Sequence, residues 1–479
     1  MKNYSLWLEK IVVEELRPLK EDMDVDVVII GGGITGLSML YQLKNSEKRV
    51  ILVEANVCGM GVTSKSTAKI TPMEQDLYMK IRGYDEAKAS LYLKSQLDAR
   101  DLLVETIRKE EIECDLEKST SYTYTSDTNK IKDIECEYQF LSQNGLSVDI
   151  SSNIPFNSEL QLAVSYKDAY VFHPLKYING LKDILKEKVF ERSRVKSIIK
   201  TEEGYILNIN DCTVKTKVVV IATHYPYFFK SFFLPLKSHI EVSFVGAKQE
   251  KYEEYNAINI DKPIDSIRYH KSGKKSFKVH LYDSLMSSEV GGIKEHFANL
   301  MEEEECEFLW SNNDVMTNDS LPFIGSIKKG DNTFLIGTGY NTWGMTNGTL
   351  AGKILADIIE EKENSYRELF DPNRKVNFGK LVSFPLNIFS NAKSFIKSSK
   401  GNVNNGEVEY ETIDGVEVAS VCDKDGVKHT VLAKCPHMKC GLIYNKVEET
   451  WDCMCHGSRF DIDGNVLEGP SNENIKFKP

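Results

Sequence analysis

The feature that most constrains the fold is a strand, a glycine-rich turn, a helix and a second strand in direct succession near the N-terminus. Residues 25–30 are an unbroken apolar run, residues 31–36 read Gly-Gly-Gly-Ile-Thr-Gly, and apolar residues at helical spacing follow over 37–43. A second apolar run over 50–53 ends at Glu54. A helix that joins two short buried strands forms a βαβ unit, and such units build parallel sheets with helices on their faces. The sequence therefore predicts an α/β domain.

The glycines of this turn have the spacing of a dinucleotide-binding fingerprint. In Gly31-x-Gly33-x-x-Gly36 the first glycine permits a tight turn, the second lets the backbone approach a pyrophosphate, and the third lets helix and strand pack closely. The pyrophosphate lies on the positive N-terminus of the helix, and an acid placed like Glu54 accepts hydrogen bonds from a ribose. We expect a dinucleotide here; the alternative is a glycine-rich turn that binds no ligand.

Four metal-ligand side chains near the C-terminus form the second chemical pattern. Cys435-x-His437 and Cys453-x-x-His456 place two thiols and two imidazoles on two short segments. This is the ligand set of a Rieske centre, in which two cysteines hold one iron and two histidines hold the other. A structural zinc site is the alternative, but zinc sites usually use Cys-x-x-Cys pairs or closely spaced histidine pairs. We predict that these four residues bind a [2Fe-2S] cluster.

Distant segments indicate which dinucleotide the first part binds. A second glycine-rich stretch, residues 337–348, lies between an apolar strand and an apolar helix. Together with the Asp-x-x-Pro-x-Ile-Gly pattern of residues 319–325, the strand over 220–223 and the polar loop over 64–71, it resembles the D-amino acid oxidase/glycine oxidase superfamily of FAD-dependent oxidoreductases. In that superfamily a C-terminal loop lies along the flavin, so the resemblance, which covers roughly residues 1–370, implies FAD rather than NAD. The fingerprint and the resemblance imply FAD contacts at Gly31, Gly33, Gly36, Glu54, Ser64, Thr67, Val195, Ala222, Gly339, Gly344, Met345 and Thr346.

The surroundings of the four predicted metal ligands also resemble Rieske proteins. Residues 469–470 (Gly-Pro) lie where those proteins cover the cluster with a proline loop, and Cys440 and Cys455 lie where the cytochrome bc and b6f proteins have a disulfide. The resemblance therefore implies a Cys440–Cys455 disulfide, which is unusual for the cytosol. Ser458 is placed to donate to a cluster sulfur, whereas Phe460 replaces a hydrogen-bonding tyrosine of the high-potential proteins. We expect an intermediate reduction potential.

The chain divides into three predicted parts. An FAD-dependent oxidoreductase part covers 1–370, a linker covers 371–406, and a small all-β Rieske domain covers 407–479. The first part combines a Rossmann-type α/β FAD-binding domain with an interleaved α+β substrate domain. The FAD-binding segments are about 20–80, 150–235 and 319–370, and the substrate domain is about 81–149 and 236–318.

The fusion predicts an electron relay. A reduced flavin holds two electrons, whereas a Rieske cluster takes one at a time. We expect a dehydrogenase of a small amine, amino-acid-like or hydroxyl substrate that passes electrons singly through the cluster to an external protein or quinone. Two alternatives stay open: a reductase that electrons enter through the Rieske domain, and a redox sensor without turnover.

The substrate residues are the least defined by the sequence. Amino-acid oxidases of the superfamily carry an arginine ahead of the Asp-x-x-Pro motif that binds the substrate carboxylate, whereas residues 310–315 contain no arginine. An ordinary α-amino acid is therefore a poor candidate, and an amine stays open. The candidates for the pocket wall, all of residue types that also serve as packing or surface residues, are Arg268, Tyr269, His280 and Tyr282.

The charge and hydropathy of the chain limit the classes of partner and the location that we expect. The net charge of −11 disfavours nucleic acid, because phosphate binding needs a basic face. No apolar run has the length of a membrane span, and the N-terminus lacks a signal-peptide pattern, so we expect a cytoplasmic protein. Residues 371–400 carry six basic residues. We expect this linker to pack on the FAD part; contact with an anionic membrane is the weaker alternative because the charge is sparse.

Overall fold

The computed structural model describes residues 2–154, 156, 159–226, 237–286, 305–376, 408–446, 448–453 and 455–478. The strands up to residue 376 are β1 (Met23–Ile30), β2 (Val50–Val53), β3 (Lys69–Ile70), β4 (Glu117–Thr125), β5 (Val148–Ser151), β6 (Leu162–Val171), β7 (Val189–Phe190), β8 (Val195–Lys200), β9 (Tyr205–Ile209), β10 (Cys212–Ile221), β11 (Ser238–Gln249), β12 (Tyr255–Asn259), β13 (Ser266–Ser272), β14 (Lys275–Met286), β15 (Phe308–Thr317), β16 (Phe323–Lys328) and β17 (Asp331–Thr338). The later strands are β18 (Val408–Ile413), β19 (Val416–Cys422), β20 (Lys428–Leu432), β21 (Leu442–Asn445), β22 (Thr450–Cys453), β23 (Arg459–Asp461) and β24 (Val466–Glu468). The helices are α1 (Ile34–Gln42), α2 (Leu77–Arg82), α3 (Glu86–Lys109), α4 (Ile131–Gln143), α5 (Pro174–Leu185) and α6 (Gly344–Ile359).

The first sheet contains the predicted βαβ unit. Its eight described strands run in the order β16-β17-β10-β1-β2-β7, and β8 and β9 form a hairpin beside β10. Strand β1 pairs in parallel with β2 and β10, and β10 pairs in parallel with β17. Helices α1 and α6 pack side by side against this sheet. In an open α/β sheet of this kind, ligands bind beyond the carboxyl ends of the parallel strands.

The second sheet has nine described strands and is mainly antiparallel. Its order is β15-β11-β14-β13-β12-β4-β6-β3, with β5 paired to β6. Strand β15 lies at one edge and, within the described residues, pairs only with β11. In the register of this pair Ser243 lies opposite Asn312. The two sheets together give the predicted combination of an α/β part with an interleaved α+β part.

The strand pairings move one predicted boundary. Strands β5 and β6 lie at the start of the segment 150–235 that the sequence assigns to FAD binding, but β6 pairs with β4 in the second sheet. The chain therefore returns to the first sheet only after β6. Main-chain hydrogen bonds to a partner distant in the sequence decide this boundary, and the local pattern of β6 carries no information about that partner.

The C-terminal part is all β, as predicted. One sheet has the order β18-β19-β20 and the other has the order β21-β22-β23-β24. Their shared core contains the fully buried side chains of Trp451 and Phe460.

Only the first residues of the predicted linker are described. There the guanidinium of Arg374 forms two hydrogen bonds of 2.7 Å with the Asp319 carboxylate, which fixes this segment to the FAD part. The rest, residues 377–406, lies outside the described residues, so a membrane contact of the linker stays a prediction. No helix in the described stretches has the length and hydropathy that a membrane crossing needs.

A buried ion pair supports the turn that follows β2. Glu191 is fully buried and lies 2.8 Å from Lys182 of α5. Its carboxylate also accepts hydrogen bonds from the backbone N–H groups of Leu16 at 2.6 Å and Cys58 at 2.7 Å. One carboxylate therefore joins three chain segments, including the turn that leads away from Glu54.

We expect Glu191→Ala to destabilise the protein by about 3–5 kcal/mol, because it leaves a buried lysine and two N–H groups without their acceptor. Urea unfolding followed by circular dichroism measures the change. The control is Glu15→Ala, which removes the exposed partner of Arg192 and should have a much smaller effect. Equal effects of the two substitutions would contradict the role given to Glu191.

Candidate functional site

The glycine-rich turn leaves no room for side chains between β1, β10 and α1. Gly31 has a φ of +113°, and a Cβ on it would lie 2.5 Å from the carbonyl oxygen of Ala222, just after β10. A Cβ on Gly36 would lie 2.0 Å from the Gly31 carbonyl oxygen. Gly33 is the N-cap of α1. The N-terminus of α1 is therefore free of side chains on this side, and its partial positive charge favours a phosphate.

Glu54 is held in place by two backbone N–H groups. Its carboxylate accepts hydrogen bonds of 2.7 Å from Gly32, in the turn, and of 2.7 Å from Asn56. Burial raises the pKa of Glu54, and the two hydrogen bonds oppose that rise. The carboxylate thus lies at the end of β2, directly beside the glycine-rich turn, as the fingerprint requires of a ribose-binding acid.

A cavity of about 260 Å³ opens beside this turn. The expected FAD contacts that line it are Gly31, Gly33, Glu54, Thr67, Val195, Ala222, Gly344 and Met345. The structure thus brings residues from the two ends of the FAD part together in one wall.

Four expected contacts lie behind the described part of that wall. Gly36 allows α1 to approach the turn, and a Cβ on Gly339 would lie 2.5 Å from the methyl group of Thr317, at the end of β15. The Ser64 hydroxyl donates to a backbone carbonyl at 2.9 Å, and that of Thr346 faces one at 3.5 Å. These residues shape the loops that form the wall, and direct contact between them and FAD stays a prediction.

The wall also contains polar residues that the sequence analysis missed. The hydroxyl of Tyr225, Oδ1 of Asn312 and Nδ2 of Asn341 are buried without a hydrogen-bond partner among the described residues. Buried polar groups normally have partners, so donors and acceptors of this kind in a cavity wall fit a polar ligand. The glycine cradle and these groups together fit FAD. Asn341 belongs to the glycine-rich stretch 337–348, which could have marked it, whereas no local motif marks Tyr225 or Asn312.

The four candidate substrate residues lie outside the described wall of this cavity, and their role in substrate binding stays a prediction. The buried guanidinium of Arg268 donates to backbone carbonyls at 2.9–3.1 Å, and the hydroxyl of Tyr269 meets another tyrosine hydroxyl at 3.1 Å. His280 and Tyr282 flank Leu281, which does line the cavity, and successive strand residues point to opposite faces. Strand alternation therefore turns both side chains away from the cavity.

The four predicted cluster ligands meet at the end of the C-terminal domain that faces the FAD part. The Cys435 and Cys453 side chains are buried, and the rings of His437 and His456 lie 5.0 Å apart. A hydrogen bond with the Cys453 thiol, helped by backbone N–H groups, lowers the pKa of Cys435 to about 7, whereas the same contact and burial raise the pKa of Cys453. Burial, with His437 nearby, lowers the pKa of His456 to about 4, and its Nδ1 has no hydrogen-bond partner among the described residues. Two buried thiols beside two imidazoles, one of them with a free ring nitrogen, are a donor set that fits a [2Fe-2S] cluster.

A disulfide joins Cys440 and Cys455, the pair that the resemblance implies. Their sulfur atoms lie within 4.8 Å of Cys453 Sγ. Because the two are bonded to each other, they offer no thiolate to a metal, and Cys435 and Cys453 stay the predicted cysteine ligands. The bond connects the loop after Cys435 with the loop after Cys453 and so fixes the two ligand loops side by side.

The C-terminal domain forms part of the cavity wall. Its residues 467–472 lie there, including the predicted proline loop, and the N–H of Ser471 donates to the Ser458 hydroxyl at 2.9 Å. The ring of His456 lies 5.0 Å from that of Tyr225, and Asn313 of β15 donates to the Gly457 carbonyl at 3.1 Å. One tyrosine thus contacts a predicted cluster ligand and lines the predicted FAD cavity.

Charged groups join the two parts beside this contact. Lys65, from the polar loop of the FAD part, lies 2.5 Å from Glu468. Arg459, almost fully buried, lies 3.0 Å from Glu448 and donates to the Ser311 hydroxyl of β15 at 2.7 Å. Burial alone would raise the pKa of Glu468, but Lys65 and Arg459 outweigh burial and lower it to about 2. This carboxylate is therefore ionised at neutral pH. The stability that its low pKa contributes is fully present above its ordinary pKa of 4.5 and is lost as the pH falls from there through about 2.

Family models match both parts of the chain. The model described as FAD dependent oxidoreductase matches residues 26–358. The model of the Rieske [2Fe-2S] domain matches residues 395–479. The two matches correspond to the cavity part and to the domain that carries the predicted cluster ligands.

Individual relatives agree with these matches. The chain is 30% identical, over 98% of its length and 97% of the relative's, to the putative Rieske 2Fe-2S iron-sulfur protein YhfW of Bacillus subtilis (strain 168). It is 24% identical, over 71% of its length and 84% of the relative's, to the probable oxidoreductase OrdL of Haemophilus influenzae. The crystal structure of glycine oxidase from Geobacillus kaustophilus has a similar fold, with a TM-score of 0.59 and 18% identity over 74% of this chain and 100% of that one.

We expect Glu54→Ala to weaken FAD binding about tenfold or more, because a charged acceptor of the turn and of the predicted ribose contact is lost. Fluorescence titration of the apoprotein with FAD measures the dissociation constant. Glu47→Ala, in the exposed turn before β2, serves as the control. Unchanged affinity in the Glu54 variant would contradict the predicted contact.

Proposed function

Since the chain belongs to the family of FAD dependent oxidoreductases and carries a C-terminal Rieske [2Fe-2S] domain, we propose that it oxidises a small molecule and passes the electrons singly through the cluster to an external acceptor. The observation that carries this proposal is the contact between Tyr225 and His456, whose rings lie 5.0 Å apart. It connects the wall of the cavity that fits FAD with a predicted ligand of the cluster.

The cofactors supply the redox chemistry: FAD takes two electrons from a substrate, and the cluster accepts one at a time. The protein positions them. The segment after β10 carries Tyr225, whose ring lies 5.0 Å from that of His456, and Nε2 of His224 donates to the Asn313 carbonyl at 2.7 Å. These contacts hold the segment after β10 against the cluster loop and β15.

The two predicted histidine ligands have different surroundings, which supports a relay. His456 is 9% exposed and faces the FAD part. His437 is half-buried and precedes Met438, which is 55% exposed. Electrons that arrive on the His456 side can leave on the His437 side, where a protein or quinone has access. The reverse flow, in which the flavin acts as a reductase, uses the same contacts, and the experiment below separates the two directions.

The substrate class of this proposal is a small amine, amino-acid-like or hydroxyl compound. The similar fold of a glycine oxidase supports it, and so does a cavity that lies against both sheets. A cytoplasmic location stays a prediction.

The relay is tested by reducing the flavin with light in the deoxygenated, cluster-loaded protein and following absorbance and EPR together. We expect the flavin to lose an electron to the cluster, with a Rieske-type EPR signal appearing at the same rate. Cys453→Ser should keep FAD and lose the EPR signal. A cluster that stays oxidised beside a reduced flavin contradicts the relay. In a stepwise chemical reduction of the same protein, a flavin that reduces before the cluster has the higher potential and favours the reductase.

We expect Lys65→Met to slow electron transfer from flavin to cluster about tenfold, because it leaves Glu468 without its nearest counter-charge and weakens docking. The measurement is the rate of cluster reduction after the light flash, at equal FAD content. Lys167→Met, which breaks an exposed ion pair with Asp149 at 2.9 Å, is the matched control. Equal rates in both variants would show that the ion pair does not support docking.

A further inference from the structure

Strand β15 presents two different sets of side chains. Ser311 and Asn313 contact the C-terminal domain, whereas Asn312 and Asp314 line the cavity. This division follows from the alternation of side chains along a strand. The neighbouring strand β11 adds Ser243 to the cavity wall.

Asp314 and its neighbours form a compact acceptor cluster. The Ser243 hydroxyl donates to one oxygen of the Asp314 carboxylate at 2.8 Å, and Nδ2 of Asn312 donates to the other at 2.9 Å. Because Nδ2 of Asn312 is used in this way, its Oδ1 is the atom left over. It is buried, in a residue that is 5% exposed, and has no partner among the described residues. Two acceptors, one of them a carboxylate, are therefore available to a ligand.

The carboxylate has no counter-charge in the described part of the chain. No lysine, arginine or histidine there forms an ion pair or hydrogen bond with Asp314, which is 7% exposed. Burial raises the pKa of Asp314 to about 7, and Glu241 adds to the rise. A buried carboxylate without a cation is costly, and a cationic ligand removes that cost.

The lysine and arginine of the described wall interact with acids other than Asp314. Lys65 forms an ion pair with Glu468, and the charge of Arg194 lowers the pKa of Glu54 at the glycine-rich turn. The side of the cavity formed by β15 and β11 therefore offers acceptors and a negative charge, and none of the described wall residues there can clamp a substrate carboxylate.

The acceptor cluster is adjacent to the loop that joins β17 to α6. The N–H of Thr317 donates to Oδ1 of Asn341 at 2.7 Å, and the N–H of Asn341 donates to the Val315 carbonyl at 3.3 Å. Gly344 and Met345, which follow this loop, line the same cavity as Asp314, so the acceptor cluster and these expected FAD contacts share one cavity.

From these contacts we infer that Asp314, with Asn312 and Ser243, forms a subsite for the positively charged nitrogen of an amine. An ammonium group donates to the Asp314 carboxylate and to Oδ1 of Asn312, which satisfies both acceptors and neutralises the buried charge. The inference rests on the proposed function and narrows its substrate class to amines. Compounds whose head group is a carboxylate meet like charge there and bind less tightly than amines.

The test uses the oxidised, FAD-loaded full-length protein and three probes that share a carbon chain: n-butylamine, 1-butanol and butyrate. Binding is measured from changes in the flavin absorbance. We expect n-butylamine to bind about tenfold or more tightly than 1-butanol, and butyrate to bind least. Asp314→Asn should weaken amine binding about tenfold or more and reduce the discrimination against butyrate. Asn312→Ala removes the other acceptor and should weaken amine binding by a smaller factor. This measurement does not depend on whether the Asp314→Asn protein is stable.

Glu74→Gln is the matched control, because Glu74 is also a buried carboxyl whose pKa burial raises, to about 8, and it lies outside the described cavity wall. It should bind n-butylamine like the unmodified protein. Butyrate binding as tight as the amine, amine affinity unchanged in both site variants, or no amine binding at millimolar concentration would overturn the subsite. Light-driven cluster reduction in the same samples reports on the relay separately, so a failed subsite and a failed relay give different results.

Discussion

The arrangement of this protein depends on a buried charge network between its two parts. Lys65 lies 2.5 Å from Glu468 and 3.8 Å from Glu448, and Arg459 lies 3.0 Å from Glu448 and donates to the Ser311 hydroxyl. Charges in such a position are strongly destabilising when one partner is removed, because the other is left without water or a counter-ion. The network therefore favours one docked position of the Rieske domain. That position brings its residues 467–472 into the wall of the FAD cavity.

The edge strand β15 connects docking with the chemistry of the cavity. Its odd-numbered residues Ser311 and Asn313 contact the Rieske domain, and its even-numbered residues Asn312 and Asp314 line the cavity. A shift of this strand by one residue would exchange the two sets. Ten paired positions with β11, from Ser238 to Ala247, oppose such a shift. The proposed amine subsite and the docking of the Rieske domain therefore depend on the same register.

The proposed electron transfer requires the two predicted redox sites to be close, and the proposed amine binding requires a cavity with a defined polarity. A few residues bear on both requirements. Tyr225 lines the cavity and its ring lies 5.0 Å from that of His456; it follows β10, which ends at Ile221 in the middle of the parallel sheet. The acceptor cluster around Asp314 lies on the other sheet, so the cavity has one wall suited to a cofactor and another suited to a cation.

The sequence alone determined the features that depend on short spacing. The fingerprint around Gly31 predicted the βαβ unit and the neighbouring Glu54, and the ligand pattern around Cys435 predicted the Rieske domain, since each motif lies within a few dozen residues whose local geometry is fixed. Only the tertiary structure decided which distant residues meet. It placed β5 and β6 in the second sheet, turned His280 away from the cavity, and brought Tyr225 and Asp314 to it. Sheet order and register select these contacts through main-chain hydrogen bonds between strands far apart in the sequence, and no local pattern encodes them.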